Sequence, residues 1–161
     1  MKHLWDNYKN TLFSIFPDLE YRETWARWEG KDTSLIAKTY SNDYFIKARE
    51  VDILSDKSSI YNNIIYPKTG SNLPCFGMDL MGFFEKKIII VFDFQHPKEK
   101  YPFSKYKEMV ELEKPTGMNT SEYKDFDAYM TKLDPVAGYL SGKFGKDKAE
   151  SLVNDFLFTY G

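Results

Sequence analysis

The chain has 161 residues, of which 42% are hydrophobic and 29% charged, and this composition excludes an intrinsically disordered protein. Its formal net charge of −2 excludes a general electrostatic attraction to nucleic acid or to anionic membranes. The single cysteine, Cys75, excludes a disulfide framework. One cysteine and two histidines are also too few ligands for a closed zinc site or an iron–sulfur cluster. A chain of this length is expected to form one domain over residues 1–161.

An amphipathic helix is predicted first, because Leu4, Tyr8, Leu12 and Phe16 recur at helical spacing before Pro17 ends it. After it, short segments alternate with turn-forming residues, which is typical of β-strands. Connections this short favour hairpins and an antiparallel sheet, since parallel crossovers need a dozen or more residues. The predicted strands are Trp25–Trp28, Ser34–Tyr40, Tyr44–Ile53, Ile60–Tyr66, Cys75–Phe83 and Lys87–Phe94.

Helical periodicity returns after His96-Pro97. One short helix is predicted around residues 106–113, and Asn119 with Glu122 forms a capping pattern for the next. The dipeptide Asp134-Pro135 is typical of a further helix start, and a last helix follows from Asp147. The order of helix, strands and helices predicts an α+β fold.

No segment predicts export or membrane insertion. The first residues are interrupted by Lys2, Asp6 and Lys9, so they lack the apolar stretch of a secretory signal. The longest apolar run, Ile88–Phe92, is far too short to span a bilayer. We therefore expect a cytoplasmic protein that binds neither membrane nor nucleic acid.

A carboxylate lies on an apolar face of the third predicted strand. By the period of two, Glu50 continues the face formed by Tyr44, Ile46 and Ala48. A charged residue on a strand face that otherwise looks buried is a candidate site residue. The structural alternative is that Glu50 lies at a solvated strand end.

The next two strands carry a second set of candidates. Asn62 lies between apolar residues of one strand face, and Asp79 follows the small residues Cys75 and Gly77 on the next. Small side chains leave room for a ligand to approach the sheet, and a carboxylate there is expected to be partly desolvated. Burial disfavours its charged form, which raises its pKa toward that of a useful proton donor. The alternatives are that Asn62 hydrogen-bonds a turn and that Gly77 only marks a bulge.

The familiar cofactor motifs are missing. The sequence contains no G-x-G-x-x-G, no Walker lysine motif and no H-E-x-x-H. A hydrolytic triad would have to use His3 or His96, and neither lies near a nucleophile elbow. The pattern alone therefore indicates no nucleotide, metal or hydrolase site.

Two long runs nevertheless resemble the ferredoxin-dependent bilin reductases. They are Asn62 through Asp79, which includes Leu-Pro-Cys-Phe-Gly-Met-Asp, and Ile90 through Pro97. The tail Asn154–Phe158 is also similar, and the resemblance extends from Trp5 to Tyr160. Within the family the chain looks most like the cyanophage-type enzymes that reduce biliverdin IXα to phycoerythrobilin via 15,16-dihydrobiliverdin.

The resemblance implies a three-layer α/β/α sandwich, a central antiparallel sheet flanked by helices, with the tetrapyrrole between the sheet and the C-terminal helices. It also implies no bound cofactor: reduced ferredoxin supplies single electrons, side chains supply protons, and the bilin passes through radical states. The implied partners are biliverdin IXα and ferredoxin, and the protein is expected to be a monomer.

The resemblance also assigns roles to individual residues. Asp79 matches the central catalytic aspartate beside the pyrrole nitrogens, and Asp134 matches the second catalytic aspartate, where a helix-capping role can coexist. Four residues are expected to contact the substrate: Glu50, Asn62, Cys75 and Met78.

The chain departs from the family after Phe103-Ser104, where Lys105 follows directly and the family has a further long segment. We therefore expect a domain shortened between about residues 104 and 105, with a sheet edge exposed. Three functions remain open. The first is a reductase, the second an inactive shortened reductase or a non-catalytic bilin-binding or carrier module, and the third an unrelated small-ligand α+β domain.

Overall fold

The computed structural model describes residues 1–68, 73–84, 86–95, 121–133 and 135–159. Within these residues, helix α1 precedes six strands, and three helices follow, the last of which continues into a π-helical turn at Leu152–Leu157. The elements are α1 (Lys2–Ile15), β1 (Glu20–Glu29), β2 (Thr33–Ser41), β3 (Phe45–Ser55), β4 (Ser58–Pro67), β5 (Cys75–Phe83), β6 (Lys87–Gln95), α2 (Ser121–Leu133), α3 (Val136–Phe144) and α4 (Lys146–Ser151).

The six strands form one antiparallel sheet in the order in which they occur in the sequence, β1 to β6. The short connections between the predicted strands explain this meander, because each strand can only return beside its predecessor. All six predicted strands are confirmed. The first is longer than expected and begins at Glu20. Two register shifts against β2, between Tyr21 and Glu23 and between Thr24 and Ala26, interrupt the alternation of its side chains.

Helix α1 covers one side of the sheet, which we call the N-terminal face. Trp5, only 1% exposed, packs there against Tyr61, Met78 and Leu80. The apolar stripe predicted for this helix thus faces strands β4 and β5, and the burial of its one tryptophan anchors the helix.

The other side, the C-terminal face, carries the main core. Side chains from the sheet, among them Leu35, Val51 and Tyr66, pack there against the C-terminal helices. Leu152 and Phe156 of the π-helical turn are fully buried in this cluster. Helices therefore lie on both faces of the sheet, and the prediction of an α+β fold with three layers is confirmed.

A bulge corrects one part of the predicted strand pattern. The register of β3 against β4 shifts between Phe45 and Lys47. Phe45 therefore packs with Ala48 on the N-terminal face, whereas Ile46 packs against the core of the C-terminal face. The expectation that Ile46 shares a face with Ala48 is wrong, because the extra residue breaks the period of two.

Four sequence predictions concern residues outside the described ranges. They are the short helix around residues 106–113, the shortening between about residues 104 and 105, the cap at Asn119, and the placement of Asp134. Within the described ranges, no helix has the length and the apolar character needed to cross a membrane.

Candidate functional site

Two predicted site residues meet across strands β4 and β5. Asn62 and Asp79 are paired positions of the sheet, and the Asn62 amide nitrogen Nδ2 donates to the carboxylate oxygen Oδ1 of Asp79 at 2.6 Å. Both side chains project from the C-terminal face and are half-buried. The sheet register thus places a hydrogen-bonded carboxylate on the face predicted to bind the ligand.

In the described part of the chain, the surface beside Asp79 carries small or exposed side chains. Gly77 precedes Asp79 on this face, and a Cβ atom built on Gly77 would lie 3.7 Å from the Cβ of Asp93. Across from Asp79 on strand β6, Val91 is 41% exposed. Gly77 has no side chain and Val91 is exposed, so the described residues leave room for a flat ligand to reach the Asp79 carboxylate.

A buried cation supports the pair from the adjacent strand. Arg49 of β3 is only 1% exposed, and its guanidinium nitrogen Nη1 donates to the Asn62 carbonyl oxygen Oδ1 at 2.8 Å. The guanidinium also lies over the ring of Phe158, 5.6 Å from its centroid. Arg49, Asn62 and Asp79 thus form a hydrogen-bonded chain across three neighbouring strands.

A second buried carboxylate lies on helix α2, above the same face. Asp127 is 6% exposed and its Oδ1 accepts a hydrogen bond from the Tyr66 hydroxyl at 3.0 Å. Burial raises the pKa of Asp127 to about 6, although the hydrogen bond from Tyr66 and the charges of Arg49 and Lys47 act in the opposite direction. Asp127 is therefore a carboxyl group that can change protonation near neutral pH.

Two further groups on this face are perturbed by burial. Burial, with a smaller contribution from the charge of Arg49, lowers the pKa of Lys47 to about 8, and the Lys47 ammonium donates to the Thr159 carbonyl at 3.0 Å. Burial also raises the pKa of the Cys75 thiol, and the nearby Asp127 acts in the same direction. Cys75 is thus a neutral thiol at the start of β5, on the same face as Asp79.

The structure separates two predicted contacts from this group. Glu50 is 3% exposed on the N-terminal face, where its Oε1 lies 3.5 Å from Lys9 Nζ and 3.4 Å from Lys38 Nζ. Met78 lies on the same face, against Trp5. Because side chains alternate along a strand, Glu50 and Met78 lie on the face opposite to Asp79, and their contact with the substrate stays a prediction.

The sequence patterns did not identify Arg49, Tyr66 or Asp127. Arg49 lies two residues before Val51 on β3, so the period of two places it on the C-terminal face. Asp127 lies four residues after the buried Tyr123, on the apolar stripe of α2. The sequence signal that could have identified Arg49 and Asp127 was a polar residue on an otherwise apolar face of a strand or helix.

A surface cavity of about 450 Å³ lies at the other end of the C-terminal face, where β1 and β2 meet the π-helical turn. Arg22, Trp25, Lys47 and Phe156 line part of it. None of the predicted site residues that the structure describes lines this cavity. We therefore take the hydrogen-bonded chain that ends at Asp79, and not this cavity, as the candidate site.

Comparison with known proteins gives a consistent result. The sequence profile of a family described as ferredoxin-dependent bilin reductase matches residues 12–126. The chain is similar to the 15,16-dihydrobiliverdin:ferredoxin oxidoreductases of Nostoc punctiforme and Gloeobacter violaceus, with 23% and 25% identity over 168 residues. Each match covers 64% of this chain and 69% of the relative.

One solved structure shares the fold. The structure of PcyX superposes with a TM-score of 0.66 at 12% identity, covering 98% of this chain and 99% of that chain. At this level of identity the likeness concerns the architecture alone. The sheet and the helices on both of its faces thus have a counterpart among solved structures.

Proposed function

Since this chain belongs to the family of ferredoxin-dependent bilin reductases, we propose that it reduces biliverdin IXα to phycoerythrobilin via 15,16-dihydrobiliverdin. Each of the two reductions adds a pair of electrons and a pair of protons to the tetrapyrrole. Reduced ferredoxin supplies the electrons one at a time, so the bilin passes through radical states, and no further cofactor is needed. The names of the two bacterial relatives support the second step, because both act on 15,16-dihydrobiliverdin.

The Asn62–Asp79 pair is the observation that carries the proposal. A carboxyl group on an accessible part of the C-terminal face is suited to donate a proton to a reduced tetrapyrrole lying on the sheet. General acid catalysis of this kind typically contributes about 10²–10⁴-fold in rate. We propose Asp79 as the first proton donor and Asp134 as the donor for the other reduction.

Asn62 and Cys75 complete the proposed contacts on this face. Asn62 orients the carboxylate through its amide, and the buried neutral thiol of Cys75 adds an uncharged wall at the start of β5. A neutral wall suits an extended π system, because it avoids burying a charge against the rings.

Anaerobic turnover tests the proposal. The protein is mixed with biliverdin and reduced ferredoxin, absorption spectra are recorded throughout, and the products are identified by chromatography. A parallel reaction starts from 15,16-dihydrobiliverdin. We expect both substrates to yield phycoerythrobilin, and turnover of 15,16-dihydrobiliverdin alone would restrict the enzyme to the second step.

The alternative of a bilin-binding or carrier module gives a different result. Such a module shifts the absorption spectrum of added biliverdin but leaves it unreduced when ferredoxin is supplied. A chain that neither binds nor reduces either pigment would contradict both functions.

A further inference from the structure

Arg49 is a buried charge for which the sequence patterns assigned no role. Its side chain is 1% exposed at the centre of the sheet, on the C-terminal face. Removing a guanidinium from water costs several kcal/mol, so a protein retains one only where hydrogen bonds and charges compensate. The contact with Asn62 and the nearby charge of Asp127 contribute to that compensation.

The contact with Arg49 fixes which end of the Asn62 amide faces Asp79. A guanidinium has only donors, whereas an asparagine amide has a carbonyl acceptor at one end and an NH₂ donor at the other. Arg49 therefore binds the oxygen of Asn62 at 2.8 Å and leaves the nitrogen pointing at Asp79, 2.6 Å away. The reversed amide would place its NH₂ against the guanidinium and its oxygen against the carboxylate, which is unfavourable at both ends.

The backbone at Arg49 is held from the opposite side of the sheet. Asn63, the neighbour of Asn62, donates its Nδ2 to the Arg49 carbonyl at 2.7 Å. The Tyr8 hydroxyl of α1 in turn donates to the Asn63 Oδ1 at 2.6 Å. Hydrogen bonds thus run from α1 through the sheet to Arg49, and from the Arg49 side chain to Asp79.

We infer that Arg49 is a positioning residue: by fixing the orientation of the Asn62 amide, it holds the Asp79 carboxylate in place for proton transfer. The inference rests on the proposed function, in which Asp79 is the proton donor. It assigns Arg49 no contact with the pigment and predicts that the effect of Arg49 on turnover passes through Asn62. This dependence distinguishes it from a purely structural buried arginine.

A double-mutant cycle tests the dependence. Arg49→Met and Asn62→Ala are compared singly and together in the turnover assay, with the pH titration of the absorption spectrum of bound biliverdin as a second measurement. We expect each single variant to lower kcat by about 10–100-fold with little change in KM, the range found for groups that orient metal-binding side chains. The double variant should lose no more than Asn62→Ala alone. Losses that multiply would overturn the inference.

Lys47→Met is the matched control. Lys47 is also a buried cation of β3 on the C-terminal face, but it donates to the Thr159 carbonyl and not to Asn62. We expect this variant to lower thermal stability and to leave the pigment titration where it is in the parent. If Lys47→Met and Arg49→Met shift the pH titration of bound biliverdin equally, the inference is contradicted, because any buried charge on this face would then have the same effect.

A measurement without pigment separates this inference from the proposed function. In an NMR spectrum of the ¹⁵N-labelled protein, the Asn62 NH₂ group should show one proton shifted downfield by its bond to Asp79. Arg49→Lys, which preserves the charge but lacks the planar fork, should remove that shift even if Arg49→Met does not fold. An unchanged signal in Arg49→Lys would contradict the positioning role, whereas an inactive parent protein with the expected signal would contradict only the proposed function.

Discussion

Glu50 and Asp79 project from opposite faces of the central sheet. The residue of β3 that pairs with Asn62, and so lies in line with Asp79, is Val51 and not Glu50. Glu50 instead contacts Lys9 of α1 and Lys38 of β2. The carboxylate of Glu50 thus joins α1 to the sheet, while the carboxylate of Asp79 lies on the face of the C-terminal helices.

The placement of Glu50 predicts a variant with lower stability and normal pigment binding. Glu50→Gln removes the charge that attracts Lys9 and Lys38, whose side chains are 24% and 28% exposed. Because both lysines reach solvent, we expect the free energy of unfolding to fall by about 1–2 kcal/mol, less than the 3–5 kcal/mol of a wholly buried pair. Urea denaturation measures the loss, and absorbance titration with biliverdin should give the parental Kd. Weaker pigment binding at unchanged stability would place Glu50 in the site after all.

Asp79→Asn should separate binding from reduction. The amide preserves the size and polarity of the side chain, and its carbonyl still accepts the hydrogen bond from Asn62, so we expect biliverdin to bind with nearly the parental Kd. Turnover should fall by about 10²–10⁴-fold because the proton donor is gone, with a bilin radical accumulating in the absorption and electron paramagnetic resonance spectra. Asp52→Asn, a half-buried carboxyl on the other face, is the matched control. Parental turnover by Asp79→Asn would remove Asp79 from the mechanism.

The sequence was informative where local rules decide the structure. Strand β5 was predicted with the bounds it has, Cys75–Phe83, because turn residues precede it and its side chains alternate in size. The same alternation placed Asp79 and Gly77 on one face and Leu80 on the other, as the structure confirms. Period-two reasoning failed at β3, where the bulge at Phe45/Lys47 shifts the pattern by one residue.

The buried polar network was out of reach for a different reason. Arg49 meets Asn62 across 13 positions of the chain, and Tyr66 meets Asp127 across 61. Such contacts depend on which strands pair in which register and on how α2 packs above them. The pattern of a strand predicts which side chains are buried, but it does not predict their hydrogen-bond partners. From the sequence these residues could be identified only as polar residues on apolar faces.

Asp127 predicts a pH-dependent contribution to stability. Its pKa is about 6 in the folded protein against an ordinary 3.8, so the folded state binds more protons than the unfolded state between these values. The contribution is fully present below about pH 4 and is lost as the pH rises through 6. We expect Asp127→Asn, which can still accept from Tyr66, to stabilise the protein at pH 7.5 by about 1–3 kcal/mol and to flatten this decline.

A comparison variant is needed for this measurement, because burial and the adjacent charge of Glu50 also raise the pKa of Asp52 to about 6. Urea denaturation of Asp127→Asn, Asp52→Asn and the double variant from pH 4 to 7.5 separates the two groups, which lie on opposite faces. A parental pH profile in Asp127→Asn would show that Asp127 does not bind its proton more tightly in the folded state.

The proposed electron donor predicts a basic docking surface. Ferredoxins are acidic, and seven lysines are candidates for the contact: Lys86, Lys87, Lys98, Lys100, Lys143, Lys146 and Lys148. Lys98 and Lys100 lie outside the described residues. Three of the others have partners within the chain, since Lys143 pairs with Asp32, Lys146 with Glu150, and Lys148 lies over the Trp28 ring.

Lys86 and Lys87 are the strongest of these candidates, because both are exposed at the turn between β5 and β6 and pair with no acid in the described part of the chain. We expect reversal of both charges to lower kcat/KM for ferredoxin about tenfold or more at low ionic strength, and the difference to shrink with added salt as the Debye length falls to about 8 Å. Lys2→Glu/Lys31→Glu is the matched control: it changes the net charge equally, but at exposed lysines that are not among the seven candidates. Equal losses in the two double variants would indicate an effect of net charge alone. Weaker biliverdin binding by the Lys86/Lys87 variant would instead assign these lysines to the pigment carboxylates.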